Sequence, residues 1–119
     1  LMEEIFLNLR KKIDFAHSKG IENIIIDPGI GFGKSREDNF EIIRRVEEFE
    51  SLGCPIMLGI SRKSLLNMQN ADNFDKDIYT TAINALAIER NVDYIRVHNV
   101  KMHKKLIDLM SMFMVRLSR

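Results

Sequence analysis

Hydrophobic and polar residues follow two different spacings along this chain. Over residues 2–19 the apolar side chains recur at helical spacing, and Gly20 comes where such a helix would end. Elsewhere, short apolar runs without a polar interruption are typical of strands covered on both faces. Strands are predicted at residues 24–26, 55–59 and 94–97, and further helices at residues 35–53, 61–68, 77–90 and 100–117. Ser35 or Asp38 is the predicted cap of the first of these further helices, and Ser61 is the predicted cap of the second.

The order of these elements predicts an α/β fold. Helices and strands alternate as α-β-α-β-α-β-α, and strands separated by helices pair in parallel through right-handed crossovers. Ligands of such folds bind at the carboxyl ends of the strands. The predicted strands end at Asp27, Gly59 and Val97, so polar residues at and just after these positions are candidates for one shared site.

Two of the predicted helices carry apolar residues on more than one face. Residues 77–90 are apolar around much of the helix, which predicts contact on more than one side, whereas residues 69–76 are polar and are predicted to form a surface loop. In the last helix Leu109, Met112 and Val115 lie beside the main apolar stripe. They either support association with another chain or widen one buried face.

Composition and charge narrow the class of protein. The 119 residues are 45% hydrophobic and 29% charged, which is ordinary for one globular core. A formal net charge of +1 argues against a general polyanion binder, so no nucleic-acid partner is expected. Cys54 is the one cysteine, which excludes a disulfide within the chain and favours a reducing, cytoplasmic compartment. No apolar run reaches the roughly 18 residues of a membrane span, so no membrane partner is expected.

Residues 24–34, I-I-I-D-P-G-I-G-F-G-K, form the most informative stretch. A buried strand delivers the carboxylate of Asp27 to a turn in which Pro28 fixes φ and three glycines let the main chain approach a ligand closely. A phosphate-binding P-loop is disfavoured because Pro28 replaces its first glycine, although residues 33–35, G-K-S, fit its end. The glycine spacing also fails the dinucleotide fingerprint. A glycine-rich connection without a ligand stays open as an alternative.

Two further polar clusters follow the second and third strands. They are Ser61 with Lys63, and Arg96 with His98. Together with the Asp27 carboxylate, which can accept two adjacent hydrogen bonds, they suit a flat hydrogen-bonding ring that bears a phosphorylated arm. The alternative is a strand-end salt bridge at Arg96 and a satisfied histidine at His98. His17 and His103 fall within predicted helices and are expected to be ordinary surface or boundary residues.

Three strings resemble, in order and spacing, the carboxyl-terminal motifs of the dihydropteroate synthase family. They are D-P-G-I-G-F-G-K at residues 27–34, G-I-S-R-K-S at residues 59–64 and R-V-H-N-V at residues 96–100. The resemblance covers nearly the whole chain and implies a TIM (β/α)8 barrel. It also implies a transferase that joins 6-hydroxymethyl-7,8-dihydropterin diphosphate to p-aminobenzoate and releases pyrophosphate in folate biosynthesis.

The resemblance implies roles for the residues around the first substrate. Asp27 and Lys63 would hold the pterin ring, and Arg96 would lie over it. Arg96 and His98 would bind the diphosphate. Lys63, Arg96 and His98 are therefore the expected catalytic residues.

The second substrate, the cofactor and the partner follow in the same way. Phe32 and Ser61 would help to form the p-aminobenzoate site beside the backbone of Gly59. Mg²⁺ is the expected cofactor, with its ligand in an amino-terminal half that this chain lacks, so no metal ligand is expected here. A homodimer is expected for the intact protein.

The chain departs from the family pattern in two places. Asn99 follows His98 where the family usually has aspartate, which removes a charge. A complete barrel also needs about 200 residues or more, so residues 1–119 are expected to be a carboxyl-terminal fragment of one pterin-binding barrel domain, inactive without the other half. Two alternatives stay open: a non-catalytic pterin-binding or dimerisation module, and a pterin-dependent methyltransferase domain, in which Lys63 is not expected.

Overall fold

The structure is a computed structural model that describes residues 1–67, 70–112 and 114. Within these residues the α-helices are α1 (Met2–Ser18), α2 (Arg36–Arg44), α3 (Asn73–Glu89) and α4 (Val100–Ser111), the strands are β1 (Met57–Leu58) and β2 (Tyr94–Ile95), and 3₁₀ helices cover Val46–Leu52 and Ser64–Leu66. None of the helices in this part of the chain combines the length and the apolar character that a membrane span requires.

Three segments pair in parallel at the centre of the fold. β1 pairs with β2, with Leu58 opposite Ile95. On the other side of β1, Ile26 forms a parallel bridge with Ile56, and both the amide and the carbonyl of Ile26 make hydrogen bonds of 2.8 Å there. The predicted parallel order is confirmed, but the first strand is an isolated bridge and the other two strands are shorter than predicted.

The two faces of this sheet differ in burial. On one face Ile26, Ile56 and Leu58 are 2%, 1% and 0% exposed and belong to the hydrophobic core that the helices complete. On the other face Ile25 and Tyr94 are each 49% exposed. Because side chains alternate along a strand, the apolar runs contribute to both faces. The expectation that these strands are covered on both faces is therefore wrong for the described chain, and we call the second face the open face.

The ends of α1 and α2 lie close to their predicted positions. α1 ends at Ser18, and Gly20 follows with a φ of 83°. Ser35, rather than Asp38, caps α2, because its hydroxyl accepts a hydrogen bond from the Asp38 amide at 3.0 Å. The single helix predicted through residue 53 is divided at Arg45 into α2 and the 3₁₀ helix Val46–Leu52, which ends at Gly53 with a φ of 79°.

α3 begins at Asn73 rather than at residue 77. The carboxylate of Asp72 accepts a hydrogen bond from the Asp75 amide at 2.8 Å, and the Asp75 carboxylate accepts one from the Asp72 amide at 3.2 Å. This reciprocal capping box starts the helix inside the stretch predicted as a surface loop, residues 69–76, of which Gln69 lies outside the described residues. α3 contacts both α4 and the 3₁₀ helix Ser64–Leu66, as predicted from its apolar surface, although Ile78 and Leu86 are exposed.

α4 ends at Ser111, with Met112 as its C-cap, and not at residue 117 as predicted. Phe113, Val115 and Leu117 of the predicted continuation lie outside the described residues, as does Met68 at the end of the brief helix predicted from residue 61. Met110 on α4 is buried, whereas Leu109 on α4 and Met112 directly after it are exposed.

His103 is buried, which corrects its prediction as a surface or boundary residue. Its Nδ1 lies 2.9 Å from the carbonyl oxygen of Asn99, and its Nε2 lies 3.1 Å from Nδ2 of Asn84. These two partners allow a neutral imidazole that donates at one nitrogen and accepts at the other. The helical pattern alone could not reveal this, because Asn84 comes from a different helix.

Candidate functional site

Residues 27–34, which we call the glycine loop, follow the first strand segment. The loop is held by its own side chains and by α2. Asp27 Oδ1 accepts a hydrogen bond from the Gly29 amide at 2.9 Å, and Lys34 Nζ donates to the Gly29 carbonyl at 2.9 Å. The amide of Gly31 donates to Oδ1 of the buried Asn39 at 2.9 Å. Gly31 has a φ of 91°, a backbone conformation that residues other than glycine rarely adopt. The course of the backbone therefore requires glycine at this position.

Asp27 and Arg96 meet across the open face of the sheet. Nη1 of Arg96 lies 3.4 Å from Oδ2 of Asp27. The guanidinium lies directly over Gly59, since a Cβ atom built on Gly59 would stand only 2.6 Å from Arg96 Cζ. A side chain at position 59 would therefore displace the guanidinium, which explains why glycine stands there. Gly29 and Arg96 thus occupy one site on each Asp27 carboxylate oxygen, and each oxygen can still accept a second hydrogen bond.

Lys63 approaches the same place from the turn after β1. Its Nζ donates to the Ile30 carbonyl at 2.7 Å and lies 5.0 Å from the centre of the Phe32 ring. Burial, reinforced by the nearby Arg96 guanidinium and only partly offset by the Asp27 carboxylate, lowers the pKa of Lys63. The hydrogen bond to the Ile30 carbonyl therefore holds the ammonium against the glycine loop that follows Asp27.

Ser61 and His98 form a second contact beside this group. Ser61 Oγ lies 2.8 Å from Nδ1 of His98 and accepts a hydrogen bond from the His98 backbone amide at 3.0 Å. With its oxygen already accepting from that amide, the Ser61 hydroxyl can direct its proton at Nδ1, and Nε2 of His98 is left for another partner. Ser61 thus orients His98 and does not cap the brief helix predicted after it, which is a 3₁₀ helix that starts at Ser64.

The structure brings the predicted site residues together at one edge of the sheet. Asp27, Lys63 and Arg96 form one group, with Gly59 beneath Arg96 and Phe32 beside Lys63. An open groove of about 220 Å³ is lined by Ile30, Gly31, Phe32 and Lys63. The plain alternatives, an ion pair at Arg96 and a hydrogen-bonded His98, are also real contacts here. Their substrate roles stay predictions.

Other cavities differ in how they relate to this group. One of about 390 Å³ adjoins it, between the glycine loop and α1, and includes Asp27, Lys34 and Lys12 in its lining. Another, of about 400 Å³, lies between α1 and the 3₁₀ helix Val46–Leu52 and contains none of the predicted site residues. In residues 1–67, 70–112 and 114, no group of three or more histidine, cysteine, aspartate or glutamate residues is arranged to hold a metal ion.

Sequence reasoning missed the contacts among Arg62, Asp77 and Asn99, which lie next to residues of the candidate site. Arg62 donates to both carboxylate oxygens of Asp77, each at 3.0 Å, and Asn99 Nδ2 donates to Asp77 Oδ2 at 3.3 Å. The Arg62 guanidinium, together with the Asn99 amide, holds the pKa of the Asp77 carboxyl below its usual range, although burial opposes this. The sequence carried no signal for these contacts, because Asp77 lies at the start of a predicted helix, where an acidic residue is common.

The fold places this chain in a family of pterin-binding enzymes. The model of the family described as "Pterin binding enzyme" matches residues 1–98, and the chain belongs to that family. The dihydropteroate synthase of Clostridium beijerinckii is 42% identical over 106 residues, which are 84% of this chain and 39% of that protein.

Solved structures of dihydropteroate synthases superpose on the chain. That of Thermus thermophilus, in complex with 6HMPPP, has a TM-score of 0.89 and 29% identity, over 95% of this chain and 47% of that one. That of Clostridium difficile, solved in the presence of pteroic acid, has a TM-score of 0.86 and 36% identity, over 92% and 43%. The chain therefore has the fold of part of a TIM (β/α)8 barrel, as expected, and it spans less than half the length of these relatives.

Proposed function

We propose that residues 1–119 are the carboxyl-terminal part of a dihydropteroate synthase barrel. In this proposal the completed enzyme condenses 6-hydroxymethyl-7,8-dihydropterin diphosphate with p-aminobenzoate to give 7,8-dihydropteroate and pyrophosphate. One observation carries the proposal: Arg96 pairs with Asp27, and Lys63 is bonded to the loop that directly follows Asp27. The similarity to dihydropteroate synthases of known structure, one of them in complex with 4-aminobenzoate, supports it.

The pterin ring is assigned to the open face. Asp27 would accept hydrogen bonds from the ring N–H and the 2-amino group, using the lone pairs that Gly29 and Arg96 leave on its oxygens. Lys63 would donate to the ring carbonyl, and the planar guanidinium of Arg96 would stack on the ring. The exposed Arg96 side chain leaves one of its faces accessible for such stacking.

Arg96 and His98 are assigned to the leaving group. As the methylene C–O bond breaks, its electron pair stays on the diphosphate oxygen, so preorganised donors there lower the barrier most. With Nδ1 of His98 engaged by Ser61, Nε2 is the ring nitrogen that can donate to a phosphate. The aniline nitrogen then forms the new C–N bond and releases a proton, and no covalent enzyme intermediate is needed.

The second substrate is assigned to the groove beside the glycine loop. Phe32, which is largely exposed, and Lys63 line this groove. Ser61 and the backbone of Gly59 are assigned to its pterin side. An aromatic ring with a carboxylate fits between an aromatic side chain and a cation.

Mg²⁺ remains part of the proposal as a family expectation. The described residues do not themselves form a site for it, because Asp27 is already bonded to Gly29 and Arg96 and no second acid joins it. A ligand for the ion would have to come from the rest of the barrel, and none of the steps above depends on it.

A homodimer and a cytoplasmic location complete the proposal. Leu109 and Met112 on α4 are exposed apolar residues, and Phe74, Ile78 and Leu86 add exposed apolar area along α3. Apolar patches of this kind are typical of protein–protein interfaces. Sedimentation velocity on the intact protein would test the dimer, and a wholly monomeric species at micromolar concentration would argue against it.

Two measurements test the assignment of the site. The isolated chain is titrated with the pterin diphosphate by calorimetry, and a fusion of this chain to the amino-terminal half of the Clostridium beijerinckii enzyme is assayed for 7,8-dihydropteroate. Lys63→Ala should abolish turnover and weaken binding, whereas Lys104→Ala, which removes an exposed lysine paired with Asp108 on α4, should change neither.

The results also separate the proposal from its alternatives. Binding without turnover in a well-folded fusion would favour a pterin-binding module. A fusion that keeps full activity after Lys63→Ala would contradict the role of Lys63 and leave the methyltransferase alternative open.

A further inference from the structure

Arg62, Asp77 and Asn99 connect the two turns that carry the predicted site residues. Arg62 lies between Ser61 and Lys63, and its side chain turns away from them toward α3, where it forms a two-point ion pair with Asp77. Asp77 is only 4% exposed. Its Oδ2 also accepts a hydrogen bond from Asn99, the residue after His98. One buried carboxylate therefore joins the turn after β1 to the turn after β2.

The turn at Arg62 needs this support. Arg62 has a φ of 56°, a left-handed conformation that is unfavourable for a residue with a side chain. A residue persists in such a conformation only when the surrounding contacts hold it there. The ion pair to Asp77 is such a contact, and the turn it holds directs Ser61 to His98 and Lys63 to the Ile30 carbonyl.

The orientation of the Asn99 amide is fixed by a second contact. Its Oδ1 accepts a hydrogen bond from the Met102 amide at 3.0 Å and so caps α4. The amide nitrogen is therefore the atom that faces Asp77. An aspartate at position 99 could cap α4 equally well, but its second oxygen would face the Asp77 carboxylate, and like charges at this distance repel.

We propose that Arg62, Asp77 and Asn99 form a positioning unit, in which the Asn99 amide is matched to Asp77 and sets the spacing between His98 and the Ser61–Lys63 turn. The unit touches no substrate and acts through Ser61, Lys63 and His98. Its effect on ligand binding rests on the proposed function, whereas its effect on the two turns does not.

The charges around Asp77 agree with this arrangement. Arg62 from the turn after β1, and Asn99 and His98 from the turn after β2, are the groups that face it and favour its ionised form. Replacing the Asn99 amide by a carboxylate would add a negative group to this set. Two carboxylates that share a site hold one proton between them at low pH, so the repulsion would disappear on acidification.

The test exchanges a single group. Asn99→Asp keeps the size of the side chain and the cap of α4 but replaces the donor to Asp77 by an acceptor. Asn23→Asp makes the same change at an exposed position and controls for net charge. The backbone amide resonances of His98 and Lys63 are followed by ¹H–¹⁵N NMR from pH 7.5 to pH 4.5, with and without inorganic pyrophosphate as the probe.

In Asn99→Asp at neutral pH, we expect the His98 and Lys63 amides to shift and the pyrophosphate affinity to fall on the order of tenfold, the loss of one charge-assisted hydrogen bond. The ratio of wild-type to variant affinity should approach one as the pH falls and the carboxylate pair takes up a proton. Asn23→Asp should match the wild type throughout.

The outcomes separate this inference from the proposed function. If Asn99→Asp lowers the melting temperature but leaves both amides and the affinity unchanged, the residues are merely structural and the positioning unit is wrong. If no form binds pyrophosphate but the two amides shift in a pH-dependent way, the unit stands and the assigned ligand fails. Should Asn99→Asp not fold, Asn99→Ser keeps the cap without a carboxylate, and unchanged His98 and Lys63 amides in that variant would overturn the proposal.

Discussion

The two faces of the short sheet are built from the same strands but depend on different interactions. Behind the sheet, Leu58 and its neighbours are buried by helices, so hydrophobic packing determines which residues fit. On the open face, Arg96 forms an ion pair with Asp27, and its guanidinium fits over Gly59 because glycine has no side chain. Hydrophobic packing and the candidate site are therefore divided between alternate positions of the same strands, so changes on each face should have separable effects.

The largest separation is expected between Leu58→Ala and Ile25→Ala. Leu58 is fully buried, so its truncation should lower the free energy of unfolding by about 2–5 kcal/mol. Ile25 is half-exposed on the other face, so the same measurement by urea unfolding should give about 1 kcal/mol or less. Equal losses would mean that the open face is covered in solution and would remove the distinction.

A smaller effect is expected from Asn39→Ala, which acts from the helix side on the glycine loop. Asn39 is buried and accepts the hydrogen bond of the Gly31 amide, so its loss leaves that amide without this partner and should cost about 1–3 kcal/mol. Asn8→Ala, at an exposed position of α1, is the control and should stay within about 0.5 kcal/mol in urea unfolding. A loss no larger than that of the control would show that the loop does not depend on Asn39.

Acidification should weaken the support behind the site in a defined direction. The pKa of Asp77 is lowered in the folded protein from an ordinary value near 3.8, so the unfolded chain binds the proton more readily. The stability that ionised Asp77 contributes is therefore complete at neutral pH and is lost as the pH falls through its folded pKa. Urea unfolding of wild type and Asp77→Asn between pH 7 and pH 2 should give a difference that is constant near neutrality and shrinks in acid, and a constant difference throughout would contradict this.

The smallest effect on stability is expected from Gly59→Ala, although the site should change. The added methyl group would displace the Arg96 guanidinium and break its ion pair with Asp27, while the backbone needs no left-handed conformation, so unfolding should change by about 1 kcal/mol or less. Gly53→Ala is the reverse control, with free space but a φ of 79°, and should cost about 1–2 kcal/mol. An unshifted side-chain Nε resonance of Arg96 in Gly59→Ala would contradict the crowding at this position.

The sequence was sufficient to predict where the open-face residues meet. Parallel strands present their carboxyl ends at one edge, so Asp27, Lys63 and Arg96 could be expected together without any knowledge of their contacts. The caps at Ser35 and Gly20 were equally visible, because caps are local signals. The start of α3 at the Asp72–Asp75 box was visible too, but the polar composition around it favoured a loop.

The contacts that could not be predicted join distant parts of the chain. Asp77 looked like the first residue of an apolar helix, and only the fold brings Arg62 and Asn99 to its two oxygens. His103 is buried because Asn84 from α3 reaches it, which no helical pattern within α4 encodes. The exposure of Ile25 was misjudged because an apolar run does not reveal which of its faces the rest of the described chain covers.

The lysines on either side of the glycine loop alter the polarity of its backbone. Lys34 donates to the carbonyl oxygens of Gly29 and Phe32, and Lys63 donates to that of Ile30. Free carbonyl oxygens would repel an incoming anion, but three of those in this loop accept hydrogen bonds from ammonium groups. The backbone between Pro28 and Gly33 has no charged residue of its own, yet the two lysines give its surface a positive potential that favours a carboxylate or phosphate.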